Sequence, residues 1–388
     1  MKTVGIICEY NPLHLGHRKQ LRWVRQTVGE DCAIVCLMSG NYVQRGYPAI
    51  VDKSLRSKAA LECGADLVLE LPLNVSLSSA EGFAAGGVRI LSPFCDFLCF
   101  GAEDADASAL MAMARTLLSE DFRSALRQQL DLGFSFPAAR ARAVEAMGLD
   151  SVLLETPNNI LAVEYCKGIL SQGSPMEILP MQRLGSYHDA EPDRENPSAT
   201  AVRKQMLEGE DWELLVGAEA ACVLEGAAVH NMDAGERAIL AKLRSMTEEE
   251  FSRIPYGSEG LWRKLMHAVR EQATLEDILT AVKSKRYTRT RLDRMVMCAF
   301  LGLTEQDLQT PAPYVRVLGF SQRGREVLKK ARSIQDFPNT GEPRDCEYWN
   351  WEQLWGDLYG LFAINAPEAP GTEKRRRVIA VQEEQRRG

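Results

Sequence analysis

The sequence lacks any uninterrupted apolar run of the roughly 18 residues that a membrane-spanning helix needs. Its apolar start, Val4–Cys8, is followed by Glu9 and Asn11 too early for a secretory signal peptide. It also lacks Cys-x-x-Cys pairs, and its ten cysteines are scattered mostly inside apolar runs, so neither a disulfide framework nor a zinc site is indicated. We therefore expect a cytoplasmic protein with no membrane association and no metal site of its own.

Charge is unevenly distributed along the 388 residues. The net charge of −7 by itself argues against a nucleic-acid partner. However, the windows 283–294, 316–332 and 374–387 each hold six Lys or Arg against one or two acidic residues, giving net charges of +5, +5 and +4 and leaving −21 for the rest of the chain. This segregation favours a polyanion site on an acidic body, although solvated helix faces give the same pattern.

Apolar strands alternate with helical patterns in the first half of the chain, which predicts a parallel sheet with crossover helices. Strands are expected at 2–9, 32–38, 66–71, 96–100 and 176–180, and helices at 15–28, 53–63, 80–91, 105–119, 121–147 with a break at 133–137, and 158–172. Beyond about 205 the pattern is mainly helical, most clearly at 260–282 and 291–302. We predict an α/β protein: a Rossmann-like domain over 1–205, a mainly helical region over 206–370, and a mobile basic tail over 371–388.

The segment Asn11-Pro-Leu-His14-Leu-Gly16-His17 directly follows the first predicted strand and opens the first helix. Ligands of parallel sheets bind at the carboxyl ends of strands, and a helix N-terminus there attracts phosphate. His14 and His17 project to the same side, and Gly16 permits close approach of a nucleotide. The pattern favours in-line attack on a nucleotide α-phosphate, although structural histidines or a metal-binding pair are open alternatives.

A second phosphate-binding element is predicted at Asn196-Pro-Ser198-Ala-Thr200-Ala-Val-Arg203. Ser198 suits the opening of a helix, and Arg203 lies one turn after Thr200, so two hydroxyls and a cation lie at the start of one helix. Taken alone, the same residues are more typical of a capped helix followed by an exposed arginine. The pairing with HxGH at the opposite end of the domain favours phosphate binding instead.

The unit of strand, HxGH and helix resembles the signature of the HxGH nucleotidyltransferase superfamily, whose members activate substrates by adenylylation. Further segments, in order, are similar to the tRNA(Met) cytidine acetate ligase family: 39–53, 64–72, 100–103, 157–161 and 183–189. The resemblance covers 1–205 with specific motifs and extends more thinly through 285–291 and 314–320 to about residue 330.

The resemblance implies an ATP site built from a continuous segment and several distant residues. Its members would be Ile7, Cys8, Glu9, Tyr10, Asn11, Pro12, Leu13, His14, Leu15, Gly16, His17, Arg18, Lys19, Gln20, Gly101, Asn158, Asn159, Arg183, His188, Ser198, Thr200 and Arg203. His14 and His17 would be catalytic. An Asn amide can bind ribose or adenine, although one of the pair equally suits helix capping, and Arg183 can pair with phosphate as a fork.

Cations are interleaved with an aromatic ring in the segment 285–291. Lys285, Arg286, Tyr287, Arg289 and Arg291 form the mixture that contacts RNA phosphates and stacks on unpaired bases. The family resemblance makes tRNA the expected polyanion.

The family's reaction converts acetate and ATP into acetyl-adenylate, with Mg²⁺ carried by the nucleotide, and then acetylates N4 of the wobble cytidine of elongator tRNA(Met). We expect acetate near Ser39–Arg45, and no general base for the cytidine amine emerges from the sequence. Two alternatives are a small-molecule cofactor adenylyltransferase and a non-enzymatic RNA-binding protein with a vestigial nucleotide fold. No motif in the sequence indicates the acyl acid, the choice of tRNA or the oligomeric state.

Overall fold

Both halves of the chain contribute strands to one sheet. The computed structural model describes residues 1–183, 194–284, 286–331 and 346–382. Within these ranges the strands are β1 (Thr3–Cys8), β2 (Ala33–Ser39), β3 (Tyr42–Val43), β4 (Tyr47–Pro48), β5 (Leu67–Leu71), β6 (Phe97–Ala102), β7 (Glu177–Gln182), β8 (Val317–Phe320) and β9 (Ile379–Ala380). Seven of them form a sheet in the order β7-β6-β1-β2-β5-β8-β9, and β3 pairs with β4 as a separate hairpin.

The five first-half strands of the main sheet, β1, β2, β5, β6 and β7, are parallel where they pair, which confirms the predicted α/β sheet. The second half adds β8 antiparallel to β5, and β9 parallel to β8. Sequence analysis assigned no strand beyond residue 205, because β8 is short and contains Gly319. Glycine fits the close packing there, since a Cβ would lie 2.9 Å from the backbone carbonyl oxygen of Ile379. The mainly helical region is thus bounded by strands of the same sheet.

Helices make up most of the remaining described residues. They are α1 (Leu15–Val28), α2 (Lys53–Glu62), α3 (Leu73–Ser76), α4 (Ala80–Leu91), α5 (Ala107–Leu118), α6 (Glu120–Asp131), α7 (Phe136–Ala146), α8 (Pro157–Gln172), α9 (Ala199–Glu208), α10 (Glu213–Val216), α11 (Ala218–Leu224), α12 (Met232–Ser245), α13 (Glu248–Ser252), α14 (Leu261–Glu271), α15 (Leu275–Val282), α16 (Arg289–Leu301), α17 (Glu305–Gln309), α18 (Gln322–Lys330), α19 (Glu347–Tyr359) and α20 (Thr372–Arg375). The pattern predicted as one helix at 260–282 is two, because the Thr274 hydroxyl accepts the N–H of Asp277 at 3.1 Å and starts a new helix. No helix among the described residues is both long and apolar enough to cross a bilayer.

Side chains of the central strands alternate between two hydrophobic layers. Ile7 and Leu69 belong to the layer built with α4, α5 and α8. Ile6 and Val68 belong to the layer on the other face, which includes residues of α1, α2 and α11. This period-2 alternation is what a sheet covered on both faces requires. The helices cover the two faces of the sheet and leave the carboxyl ends of β1, β6 and β7 accessible at the edge where α1 begins.

The β3–β4 hairpin connects this end of the sheet to the helical region. Gly46, in the turn of the hairpin, has φ +84°, and a Cβ there would lie 2.5 Å from the backbone N of Arg294. The hairpin therefore rests directly on the backbone of α16. The Tyr47 hydroxyl donates to Asp293 Oδ2 at 2.7 Å, and the Tyr42 hydroxyl donates to the carbonyl of Trp355 at 3.0 Å.

The described C-terminal residues pack against the sheet. Glu373 is 2% exposed, and its Oε1 lies 2.8 Å from Lys53 Nζ. Arg376 pairs with Asp52 at 2.7 Å. The expectation of a mobile tail from 371 therefore does not describe residues 371–382, because Glu373 and Arg376 are partners of buried charges. Residues 383–388 lie outside the described ranges.

Candidate active site

The turn between β1 and α1 is fixed by hydrogen bonds from distant parts of the chain. Tyr10 adopts a left-handed backbone conformation with φ 43°, which is uncommon for a non-glycine residue and typical of functional turns. Asn11 Oδ1 accepts the N–H of Ile50 at 2.7 Å, and the carbonyl of Asn11 accepts from Arg203 Nη1 at 2.8 Å. The turn is therefore held in place before any ligand binds.

His14 and His17 cap the first turn of α1 reciprocally. Nδ1 of His14 accepts the N–H of Gly16 at 3.1 Å, and Nδ1 of His17 accepts the N–H of His14 at 3.3 Å. A neutral imidazole whose Nδ1 accepts a hydrogen bond carries its proton on Nε2. Both rings therefore offer Nε2–H as a donor, from planes tilted by 31° with centroids 3.8 Å apart.

Both imidazoles are neutral at physiological pH. Burial, followed by the positive charges of Arg183 and Arg203, lowers the pKa of His14 to about 3. Burial, followed by His14 and Arg183, lowers the pKa of His17 well below its usual value. The net positive charge at this point therefore comes from the two arginines, while the imidazoles supply uncharged donors.

The N-terminus of α9 faces that of α1. Ser198 Oγ accepts the N–H of Ala201 at 3.1 Å, as expected for an N-cap. Arg203 is not simply a surface residue, because it donates to Asn11 as well as to Thr200 Oγ1 at 3.1 Å. Lys19 Nζ donates to the carbonyl of Glu195 and to Asn196 Oδ1, both at 2.7 Å, and so ties the start of α9 to α1.

Arg183 follows β7 and lies over Gly101 at the end of β6. A Cβ on Gly101 would lie 3.0 Å from Arg183 Cγ and 3.1 Å from Cδ. The sequence argument gave Gly101 the role of admitting a nucleotide, whereas in the structure its missing side chain makes room for Arg183. Burial lowers the pKa of Arg183, an effect that the charge of Glu103 opposes, and the guanidinium stays protonated.

The two neighbouring asparagines have different environments. Asn158 Nδ2 donates to Glu103 Oε1 at 2.5 Å and lines the cavities described next. Asn159 is 2% exposed, and its Oδ1 accepts the N–H of Asp104 at 2.9 Å. Burial raises the pKa of Glu103, but hydrogen bonds from Asn158 and Thr156 outweigh it and lower the pKa overall, so Glu103 is a carboxylate. Asn159 thus supports the loop, and Asn158 is held by Glu103 at the site.

Three adjoining cavities meet at His17 and Arg183. The central cavity, of about 340 Å³, lies between the two helix N-termini and is also lined by His14, Ser198 and Arg203. The aromatic cavity, of about 560 Å³, is lined by Phe83, Phe100 and Tyr165. The lateral cavity, of about 110 Å³, extends beside Gly16 and Gly101.

Most residues of the predicted ATP site line these cavities. They are Ile7, Cys8, Glu9, Tyr10, Asn11, His14, Gly16, His17, Lys19, Gln20, Gly101, Asn158, Arg183, Ser198, Thr200 and Arg203. Pro12, Leu13, Leu15, Arg18 and Asn159 do not line any of these three cavities. Leu13 is 1% exposed in the core, and Arg18 pairs with Glu219 at 2.6 Å. His188 lies outside the described residues.

The predicted tRNA-binding segment lies at the start of α16, next to the hairpin. Its arginines contact acceptors of the chain: Arg286 pairs with Glu259 at 2.6 Å, Arg289 with Glu276 at 2.8 Å, and Arg291 Nη2 donates to the carbonyl of Tyr256 at 2.8 Å. The guanidinium carbon of Arg291 lies over the ring of Tyr287, 5.1 Å from its centroid. Lys285 lies outside the described residues.

The sequence indicated some residues near the central cavity and missed others. Arg45 lies on the wall shared by the central and aromatic cavities, at the end of the segment near which acetate is expected. Ser39, from the segment expected to hold acetate, is buried and bonded to Ser76 at 3.0 Å. His230 is 2% exposed, stacks on Tyr359 at 4.1 Å and lines the central cavity, a placement that no local pattern indicates.

A mainly parallel sheet with paired imidazoles at the first strand-to-helix turn is typical of a class of nucleotidyl transferases. The sequence profile of the HIGH Nucleotidyl Transferase family matches residues 1–367, and the chain belongs to this family. Within it, the chain is 33% identical to the tRNA(Met) cytidine acetate ligase of Acetivibrio thermocellus over 87% of each sequence. It is 34% identical to that of Clostridium acetobutylicum over 98% of this chain and 100% of the relative. The chain is therefore an enzyme of the tRNA(Met) cytidine acetate ligase family.

Solved structures agree with this placement. The crystal structure of Thermotoga maritima TmcAL without ligand superposes with a TM-score of 0.90 at 28% identity, covering 98% of this chain and 100% of that one. A second structure of TmcAL, bound with alpha-thio ATP, gives a TM-score of 0.87 with the same coverage.

Proposed function

We propose that this enzyme activates acetate with ATP and transfers the acetyl group to N4 of the wobble cytidine of elongator tRNA(Met). The observation that carries the first half of the proposal is the neutral, reciprocally capped pair His14 and His17, facing Arg183 and Arg203. The names of the relatives support the second half, because they are tRNA(Met) cytidine acetate ligases.

ATP fits the central and lateral cavities on chemical grounds. Two helix N-termini, the Ser198 and Thr200 hydroxyls and the guanidinium of Arg203 suit the β and γ phosphates. Gly16 leaves space for the adenosine beside α1, and Asn158, oriented by Glu103, offers an amide group to it. The similar TmcAL was solved bound with alpha-thio ATP, which supports ATP as a ligand of this enzyme. Mg²⁺ enters with the nucleotide as part of the substrate.

In the first step, an acetate oxygen attacks the α-phosphorus, the bond to the bridging oxygen of the β-phosphate breaks, and pyrophosphate leaves with that oxygen. Negative charge grows on the non-bridging α-oxygens during this displacement. Nε2–H of His14 and of His17 donate to these oxygens, and Arg183 adds positive charge. Arg45, on the wall of the central cavity, is placed to attract the carboxylate of acetate.

In the second step, the cytidine N4 attacks the acetyl carbon, the carbon–oxygen bond to AMP breaks, and N4 loses a proton. The N4 lone pair is delocalised into the ring, so this amine is a weak nucleophile. A mixed anhydride compensates for that weakness, and positioning supplies further acceleration. The base must leave its stack to reach the site.

Nucleoside mass spectrometry tests the proposal directly. Purified enzyme is incubated with ATP, radiolabelled acetate and bulk tRNA, and the RNA is then digested. We expect labelled N4-acetylcytidine that requires ATP, and acetate-dependent exchange of pyrophosphate into ATP without RNA. Pyrophosphate exchange without labelled RNA would reject tRNA as the acceptor. The absence of both exchange and labelled RNA would reject the proposed reaction.

A further inference from the structure

The aromatic cavity is larger than the central cavity and differs from it in chemistry. Phe83 of α4, Phe100 of β6 and Tyr165 of α8 form its walls, and each is at most 5% exposed. The rings of Phe100 and Tyr165 have centroids 5.3 Å apart. Ile160 and Leu161 extend the apolar lining. Flat apolar walls of this kind accept a planar ring rather than a phosphate chain.

The inner end of this cavity lies at the reacting centre. His17 and Arg183 line both the aromatic and the central cavity, and Glu9 and Arg45 do so as well. A ring in the aromatic cavity therefore has its near edge beside the groups that bind the α-phosphate. The phosphate-binding residues Ser198 and Arg203 line the central cavity instead. The two cavities thus suit two different reactants.

The helical region supplies a polar wall of the aromatic cavity through α16. Thr290 and Arg294 line it and lie four residues apart, on one side of the helix. The guanidinium of Arg294 lies over the ring of Tyr256 at 5.1 Å. Its Nε is buried and has no hydrogen-bond partner among the described residues. The basic segment that begins at Arg286 leads directly into this wall.

We propose that the aromatic cavity receives the flipped-out pyrimidine nucleoside of the RNA acceptor, with Thr290 and Arg294 binding its ribose or phosphate. This inference rests on the proposed function and assigns ATP to the other two cavities. Stacking on aromatic side chains holds unpaired bases in RNA-binding proteins generally. An arginine with an unused donor next to a hydroxyl suits the sugar–phosphate backbone.

Filling the cavity tests the proposal. Ala80 is the first residue of α4, after the N-cap Ser79, and lines only the aromatic cavity. Ala80→Trp places an indole there without removing a core side chain. The matched control is Ala218→Trp, at the exposed first residue of α11. Three quantities are measured for each: acetate-dependent ATP–pyrophosphate exchange, Kd for elongator tRNA(Met), and the rate of acetyl transfer.

For Ala80→Trp we expect exchange within twofold of wild type, a Kd for tRNA raised about tenfold, as the loss of one stacked base predicts, and transfer reduced by at least the same factor. Arg294→Met should raise the Kd for tRNA and leave the KM for ATP unchanged.

Unchanged tRNA binding and acetyl transfer in Ala80→Trp would overturn the assignment of this cavity. So would a parallel loss of exchange, which would place ATP or acetate in this cavity. If the wild-type enzyme transferred no acetyl group, the proposed function would fail. The Kd for tRNA would still show whether the aromatic cavity binds the RNA nucleoside.

Discussion

The backbone N–H of His14 donates to Nδ1 of His17 at 3.3 Å, so one catalytic candidate fixes the tautomer of the other. The same contact belongs to the cap of α1, in which His14 Nδ1 accepts from Gly16. Helix start and donor geometry therefore depend on the same two rings. Stability and activity are expected to separate only when a substitution retains the cap.

His14→Asn should separate them. Asparagine is a good N-cap and should retain most of the stability, whereas His14→Ala should lose about 1 kcal/mol of unfolding free energy. Both variants lack Nε2–H, so both should lose about 100-fold or more in pyrophosphate exchange. Urea unfolding and exchange assays check the two effects. Wild-type exchange in either variant would remove His14 from the mechanism.

The pH dependence of stability should reveal the buried neutral imidazole. With the pKa of His14 about 3 when folded and 6.5 as its ordinary value, the unfolded chain binds more protons between these values. Stability therefore rises with pH across that window, and this one group should contribute about 2 kcal/mol between pH 5 and pH 7. His14→Asn should show a correspondingly smaller loss on acidification. Equal losses in the two proteins would contradict the lowered pKa.

Gly101→Ala should impair ATP binding through Arg183. The added Cβ would lie 3.0 Å from Arg183 Cγ and displace the side chain from its place over β6. We expect the KM for ATP to rise about tenfold, the size of effect that one weakened charged contact produces. Gly168→Ala is the control, because its Cβ also meets a side chain, Val88, at 3.2 Å, but within the core. A similar KM in both variants would show that Arg183 does not bind the nucleotide.

The C-terminal ion pairs should contribute strongly to stability. Arg376 contacts Asp52 at 2.7 Å and Glu373 at 3.3 Å in a buried setting. Arg376→Ala leaves the buried Glu373 and the partly exposed Asp52 each short of a partner and should cost about 3 kcal/mol. The neighbouring Arg375 is exposed, and Arg375→Ala should change stability by less than about 0.5 kcal/mol. Denaturant titration distinguishes the two, and equal effects would refute a structural role for the tail.

Substitution of Arg286 tests whether the basic segment binds tRNA. Its side chain is 69% exposed beside Glu259, so exchanging that partner for a phosphate requires little rearrangement. Arg286→Ala should weaken tRNA binding and reduce the slope of log K against log salt by about 1. Arg253→Ala removes a comparable exposed arginine paired with Glu249. A slope that falls equally in both variants would indicate a general charge effect.

Local patterns predicted the parts of the molecule that are built locally. β1, the HxGH turn and α1 are contiguous, so one motif located the central cavity. The contact between Gly101 and Arg183 joins residues that only strand pairing brings together, so the sequence argument, which predicted Gly101 to admit a nucleotide, did not predict that it also makes room for Arg183. β8 was missed because a four-residue strand with an internal glycine has too little alternation to detect. His230 enters the cavity through packing on Tyr359, which no spacing rule encodes.

The return of the chain to the sheet at Val317–Phe320 makes the helical region an insertion between strands rather than an appendage. A fragment ending near residue 205 would lose the neighbour of Leu67–Leu71 and expose an unpaired apolar strand, a known route to aggregation. It would also remove Glu373 and Arg376, the ion-pair partners of Lys53 and Asp52. The shortest fragment that folds as the whole chain does should therefore extend past Ala380. Nucleotide binding and RNA binding must then be separated by point substitutions in the whole chain.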